Sequence, residues 1–393
     1  MVDSSTCRDA LSSRQLSDLL RQQKIVTVRL SASVDQTLRL LASHRILSAP
    51  VVNVANSAPE TELSADHNRE EIAGFIDIRD VLSSFLKELD LDGLKDAKML
   101  KRMRILEEKG QEFAVKSVKE LKSVGSDGRF YKLDEAKHSS MLEIIIDGFL
   151  STEEKDQETF GGTRKRHVVH RLALVDAQGK LSHVVSQSDV VKFIFDHLDE
   201  FGGCLADETA ESLGFVRGEE NVVKVSPDCP AIDAMMLMEE KDISAVAVVN
   251  AVGGIIGNFS ISELRNIMSE HFGSLALPVG EFLALEHGTE YAGYAATKES
   301  SSDELLLGTS PGSRPSGAAF KFAHDREMRQ RKISSPGSEV GQNLITCSPN
   351  SPLSEIMSTI VHNRLHRIYV CSDDMIPCGV ITLTDLLRKM SLV

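Results

Sequence analysis

Four times along the chain, a short apolar run is followed by a polar turn, a second apolar run and a helical pattern. The last copy is the clearest: Val361 to Met390 reads VHNRLHRIYVCSDDMIPCGVITLTDLLRKM. The β-branched run Arg367 to Val370, the spacer SDDMIP, the run Cys378 to Leu383 and the stretch from Thr384 predict strand, turn, strand, helix. The joint between the second strand and the helix runs Gly379, Val380, Ile381, Thr382, Leu383, Thr384, Asp385. Hydroxyls and a carboxylate at a helix start ordinarily cap its orphan N–H groups. The joint recurs as GFIDIRD (Gly74 to Asp80), HVVSQSD (His183 to Asp189) and GNFSISE (Gly257 to Glu263). Each follows an apolar strand, LSAPVVNV, VHRLALVD or ISAVAVVN, and precedes a helix-like run, VLSSFLKEL, VVKFIFDHL or LRNIMSEHF. Register, turn and capping residue agree across the copies, which marks an internal repeat.

Between the joints the pattern predicts the rest of each unit. Leu11 to Lys24 reads as a polar helix leading into the first unit, followed by the strand KIVTVRL and a helix with Val34, Leu38 and Leu41 on its core face. Asn53 to Glu70 is a polar loop holding Pro59. Asp90 to Gly110 is charged and helical in pattern, a connector expected at the surface, where Lys98, Lys101, Arg102 and Arg104 form a solvated basic face. MLEIIIDGFL is the first helix of the second unit, and the insertion TEEKDQETFGGTRKRH follows it with the basic run Arg164 to Arg166. Phe201 to Glu220 links the halves and is expected to be partly helical. Met235, Met236 and Met238 fill core gaps on a helix. Gly253, Gly254 and Gly257 fall between two strands and lack the order of a phosphate loop, so a hairpin turn is expected there. Glu286 to Gly341 is rich in Ser, Gly and Pro and buries too little apolar area to offset its ordering entropy, so disorder is expected. Ser334 and Ser335 in that stretch have the neighbours of phosphoacceptors.

Composition narrows the function classes. The 393 residues are 41% apolar and 26% charged, as in a soluble globular protein with a sizeable core. A net charge of −14 argues against a bulk electrostatic role on nucleic acid or membrane. The six cysteines are scattered without a C-x-x-C pair, and none of the twelve histidines stands at metal-ligand spacing, so no metal site is expected. MVDSSTCRDA has no signal-peptide core and no later run is long enough to span a bilayer, which predicts a cytoplasmic protein with the nucleus also open to it. No H-E-x-x-H, G-K-[ST] phosphate loop or G-x-S-x-G elbow is present, and no catalytic residue is assigned. The recurring hydroxyls and carboxylates lie at helix starts without a general base, which is a binding chemistry.

The repeats resemble CBS domains, modules of about sixty residues with β-α-β-β-α order. Four in one chain resemble the gamma regulatory subunit of the AMP-activated, sucrose-non-fermenting-type protein kinase. RILSAPVV, GNFSIS and LHRIYV with GVITLTDLL are closest to the plant-type gamma subunits. The resemblance implies an α/β (α+β) fold of four tandem repeats in two pairs, one with two and three with four, in a disc-like assembly. Pairing covers the sheet face that a lone repeat leaves bare. The divisions expected are 15–90 for repeat 1, 91–112 for the connector, 113–200 for repeat 2 with its insertion at 151–167, and 201–220 for the linker. Repeat 3 spans 221–272; repeat 4 starts at 273–285, is interrupted at 286–341 and resumes over 342–393. The resemblance also implies a noncatalytic subunit partnered by a kinase alpha subunit and a beta scaffold, with AMP, ADP or ATP as regulatory ligand and no required cofactor. The alternative is a stand-alone CBS sensor or scaffold for an adenosyl ligand, regulating another enzyme.

A carboxylate at such a joint can accept from both ribose hydroxyls, and the adjoining hydroxyls and helix N-terminus favour phosphate. In the gamma family, His-Arg pairs at the second and fourth repeats' strand starts and a lysine in the second repeat's last helix face the phosphates. His170, Arg171, His366, Arg367 and Lys192 match those positions. The fourth joint, with Thr382, Thr384 and Asp385, is complete, and Ile243 and Ser244 of the partner repeat are expected on the adenine side. The other joints depart from the pattern. The third ends in the longer Glu263, and the second keeps Ser186 and Asp189 but has His183 in place of glycine. The first keeps Asp80 but has Asp77 where a hydroxyl is expected and Leu47 where the family places an arginine. A carboxylate about 5 Å from a phosphate costs roughly 3 kcal/mol at an effective dielectric near 20, so the first site is expected to be weak or empty.

Overall fold

The computed structural model describes residues 5–54, 70–121, 128–151, 168–199, 205–287 and 344–392. The insertion expected at 151–167 apart from Ser151, the stretch from 288 to 341 with Ser334 and Ser335, and most of the loop after Asn53 lie outside the described residues. The fold is mixed α/β, and the described residues form four three-stranded sheets of one design. In each, the first strand runs parallel to the second and the second antiparallel to the third.

A helix α1 (Ser5–Ser13) precedes the first sheet of β1 (Val28–Arg29), β2 (Ser48–Val54) and β3 (Glu70–Asp77), with α2 (Val34–His44) between β1 and β2 and α3 (Ile78–Leu86) after β3. The start of α2 is fixed by a reciprocal box: Gln36 N donates to Ser33 Oγ and Ser33 N to Gln36 Oε1, each at 3.1 Å. Val34, Leu38 and Leu41 are buried, as their spacing predicts. The connector holds α4 (Leu91–Lys95) and α5 (Met99–Ala114). The second unit comprises β4 (Gly128–Lys132), α6 (Leu133–Ala136), α7 (Met141–Glu143) continuing as a π-helix to Leu150, β5 (Arg171–Val175), β6 (Leu181–Ser186) and α8 (Gln187–Asp196). The third has β7 (Lys224–Val225), α9 (Ala231–Lys241), β8 (Ala245–Val249) and β9 (Ile255–Ser260), then 3-10 segments at Ile261–Asn266 and Ser269–Ala276 and the helix α10 (Val279–His287). The fourth has β10 (Thr346–Cys347), α11 (Leu353–His362), β11 (Arg367–Cys371), β12 (Pro377–Thr382) and α12 (Leu383–Leu392).

Each repeat has two apolar surfaces, a sheet face and a helix face, and the neighbours cover both. On the sheet side, Phe75 of β3 meets Phe130 of β4 at 5.4 Å, joining repeats 1 and 2. Ala247 and Ile255 of repeat 3 share a small core with Tyr369 and Cys371 of repeat 4, and Ile255 N donates to Met375 O at 2.8 Å. These are the expected pairs. On the helix side two larger cores run the other way. One holds Leu38 and Phe85 of repeat 1 with Met235 and Phe259 of repeat 3. The other holds Leu172 and Ile194 of repeat 2 with Ile356 and Leu386 of repeat 4. The repeats therefore contact in a closed order, 1–2–4–3.

Several local expectations give way to this second set of contacts. The connector α5 is not a surface helix. Met103, Leu106 and Phe113 are in the core of repeats 1 and 3, and Arg102 is buried, donating to Leu94 O at 3.1 Å, to Lys95 O at 3.0 Å and to Asp233 at 3.3 Å. The segment 273–285 packs in that same core through Val279, Phe282 and Leu283 rather than opening repeat 4. Glu286, placed at the edge of the insertion, is buried and accepts from Asn266. The leading helix ends at Ser13, and Cys7, Leu11 and Leu16 pack on repeats 2 and 4 instead of repeat 1. The described part of the linker before Glu219 is a chain of turns, not a helix. Gly253, at φ 88°, makes the hairpin turn between β8 and β9.

Candidate functional site

The four joints lie where an antiparallel strand ends and a helix begins. At the fourth, Thr382 N and Thr382 Oγ1 donate to Asp385 Oδ2 at 3.0 and 2.6 Å, and Asp385 N donates back to Thr382 Oγ1 at 3.2 Å. The second repeats this with Ser186 and Asp189 at 2.8, 2.6 and 3.2 Å. At the first, Asp77 takes the capping place: Arg79 N donates to Asp77 Oδ1 at 2.7 Å and Asp77 N to Asp80 Oδ2 at 3.0 Å. At the third, Glu263 is buried in a 3-10 segment and Ser260 makes no side-chain cap. The ordinary capping role of these residues is thus real at three joints, and any ligand chemistry is added to it.

Strand register brings the cations to the caps. The first residue of each second strand lies opposite the capping residue of the third: Ser48 opposite Asp77, Arg171 opposite Ser186, Ala245 opposite Ser260, Arg367 opposite Thr382. Each arginine then reaches into the sheet-paired repeat. Arg367 Nη2 donates to Ser244 Oγ at 2.8 Å, and Arg171 Nη1 lies 3.6 Å from Asp77 Oδ2. His366 senses the gathering. Burial first, then Arg367, Arg171, His170 and Arg265, push it down to about 4. Burial also lowers Arg367 below its ordinary value.

His170, Arg171, His366 and Arg367 are therefore brought together, and Ser244 touches them through Arg367. Lys192 is on an exposed face of α8, paired with Asp196 at 2.5 Å. Thr384 Oγ1 donates at 3.0 Å to Gln187 Oε1 of repeat 2. Ile243 lines a cavity of about 10 Å³ between repeats 1 and 3 with Arg79, Ser83 and Glu239. That holds about one water and no adenine. Among the described residues no His, Cys, Asp and Glu group could hold a metal ion, and no helix is long and apolar enough to cross a membrane.

Sequence reading missed Arg265, Gln187 and Arg217. Arg217 Nη2 lies 3.6 Å from Asp385 Oδ1. It is placed there because Arg217 N and Gly218 N both donate to Cys378 O on β12, at 2.9 and 3.1 Å. A Cβ at Gly379 would stand 2.2 Å from Phe215 O, so the joint's leading glycine is the one trace of this docking in the sequence.

Two segments, residues 218–270 and 338–392, match the family model of the CBS domain. The chain is 23% identical over 266 residues to Protein SDS23 of Saccharomyces cerevisiae, covering 64% of this chain and 43% of that one. It is 21% identical over 278 residues to the 5'-AMP-activated protein kinase subunit gamma-3 of Sus scrofa, covering 67% and 43%. The chain thus spans less than half the length of these relatives. Among solved structures, a Methanocaldococcus jannaschii protein proposed as an archaeal homologue of g-AMPK superposes with a TM-score of 0.55 at 15% identity, covering 95% of this chain and 99% of that one. That likeness is one of fold.

Proposed function

We propose that this chain, which carries CBS domains and is related to gamma subunits of the AMP-activated kinase, is a noncatalytic regulatory subunit of a heterotrimeric Ser/Thr protein kinase. In this reading it binds AMP, ADP or ATP between its repeats and assembles with a catalytic alpha subunit and a beta scaffold. The observation that carries the nucleotide part is the convergence of His170, Arg171, His366 and Arg367, with the carboxylate of Asp385 at the adjoining joint. Asp385 Oδ2 is committed to the cap, and Oδ1, 3.6 Å from Arg217 Nη2, keeps lone pairs to accept from ribose hydroxyls. Thr382, Thr384 and the N-terminus of α12 favour the phosphate side, the arginines supply charge-assisted hydrogen bonds, and Ile243 and Ser244 approach the adenine. Asp80, Asp189 and Glu263 mark weaker sites. Lys192 joins the phosphate centre only by leaving Asp196.

SDS23, similar over 64% of the chain, does not carry a kinase-subunit name, which leaves a second reading, a CBS sensor or scaffold serving a different enzyme. Affinity purification from the native cell separates the two. The first requires a Ser/Thr kinase and a beta-type subunit in the eluate. Their absence, together with failure to form a complex on co-expression, overturns the kinase-subunit reading and leaves the nucleotide site to be judged by titration.

A further inference from the structure

We propose that Asp77 is a built-in counter-ion that stands where ligand phosphate would stand at the first joint, closing that joint and leaving phosphate to the fourth. The inference rests on the nucleotide reading above. Asp77 occupies the capping place that Ser186 fills in repeat 2 and Thr382 in repeat 4, by strand register and by its spacing of three residues from Asp80. A neutral hydroxyl suffices to cap at those two joints. The carboxylate therefore brings a charge that capping does not need.

That charge is spent across the repeat boundary. Asp77 Oδ2 lies 3.6 Å from Arg171 Nη1, with side chains only 15% and 18% exposed. In the other sheet pair the equivalent arginine, Arg367, donates to the neutral Ser244, although Glu263 is also among the groups that influence it. A phosphate entering the first joint would have to displace Asp77 from Arg171 and then remain beside its carboxylate, a like-charge contact in a partly enclosed place. Phosphate at the fourth joint meets no acid in the corresponding capping position, because Thr382 is there.

Asp77→Thr copies the fourth joint and keeps a capping oxygen; Asp77→Asn keeps the shape and removes the charge. The full chain and both variants are titrated calorimetrically with AMP and with inorganic pyrophosphate, each also in an Asp385→Ala background, with melting curves to confirm folding. Both Asp77 variants should bind pyrophosphate and AMP about tenfold or more tightly than the parent at one site. The gain should persist in the Asp385→Ala background, because it arises at the first joint. If the parent binds AMP and neither Asp77 variant differs from it, Asp77 is only a cap and the proposal is overturned while the nucleotide reading stands. A silent parent with binding variants supports the proposal. Silence of the parent and of every variant overturns both.

Discussion

Gly110→Ala is a substitution whose sign depends on how repeats 1 and 3 are joined. In a solvated helix interior, alanine stabilises by about 1 kcal/mol relative to glycine. Gly110 lies inside α5 and faces the 3-10 segment Ser269–Ala276. A Cβ there would stand 2.6, 2.8 and 2.9 Å from Cβ, Cγ and Cδ2 of Phe272. Phe272 is fully buried, with its ring 4.4 Å from Phe85 and 6.3 Å from Phe113. The contacted Cβ moves only with its backbone, so no rotamer change relieves the clash. Overpacking of this kind costs about 1–3 kcal/mol. The upper end applies here, and the net expectation is a loss of about 2 kcal/mol. Phe272→Ala alone should cost about 3–5 kcal/mol. In that background the Cγ and Cδ2 contacts are gone but the Cβ at 2.6 Å remains, so Gly110→Ala should cost less than in the parent without becoming stabilising. Urea unfolding of the parent, both single variants and the double variant completes the cycle. A raised midpoint for Gly110→Ala in the parent would refute the packing of α5 on Ser269–Ala276.

Two further outcomes follow from charged groups. His366 is held near 4 in the fold against an ordinary 6.5, so the unfolded chain binds the extra proton between those values. Stability should therefore be full above about pH 6.5 and fall as pH drops toward 4. A His366→Gln variant should lose part of that slope, and an identical slope would count against the buried cationic setting. Arg102→Met removes three donors from a buried position, two to backbone carbonyls and one to Asp233. It should cost about 2–3 kcal/mol in urea unfolding; an unchanged midpoint would return α5 to the surface role its charge suggested.

What the sequence made legible is the local grammar. Strand, turn and cap recur within a few residues of one another, so the pattern that predicts Thr382 to Asp385 is written in adjacent positions, and the capping boxes form there. Val34, Leu38 and Leu41 are likewise a periodic signal within one helix. The second set of cores was not legible, because it joins residues such as Gly110 and Phe272 that are far apart in the chain. For α5, charge outweighed the apolar positions Met103, Leu106 and Phe113, and the helix read as solvated. At the site, the His-Arg pairs are legible only through the resemblance to the gamma subunits, because such a dipeptide at a strand start is ordinary by itself. Arg217 was not legible, since the turns that bring it to Asp385 have no periodicity. Asp77 was visible as a departure, but its partner Arg171 is in a different repeat.

The central claim is that the fourth joint holds an adenine nucleotide, and calorimetric titration of AMP against the parent and Asp385→Ala tests it most directly. Loss of hydrogen bonds to a charged group of about 1.5–3 kcal/mol predicts AMP binding weakened roughly ten- to a hundredfold. Melting curves should show only the cost of the lost cap, about 1 kcal/mol. No AMP heat from the parent, or equal affinity in the two proteins, would contradict the account and leave Asp385 as a capping residue alone.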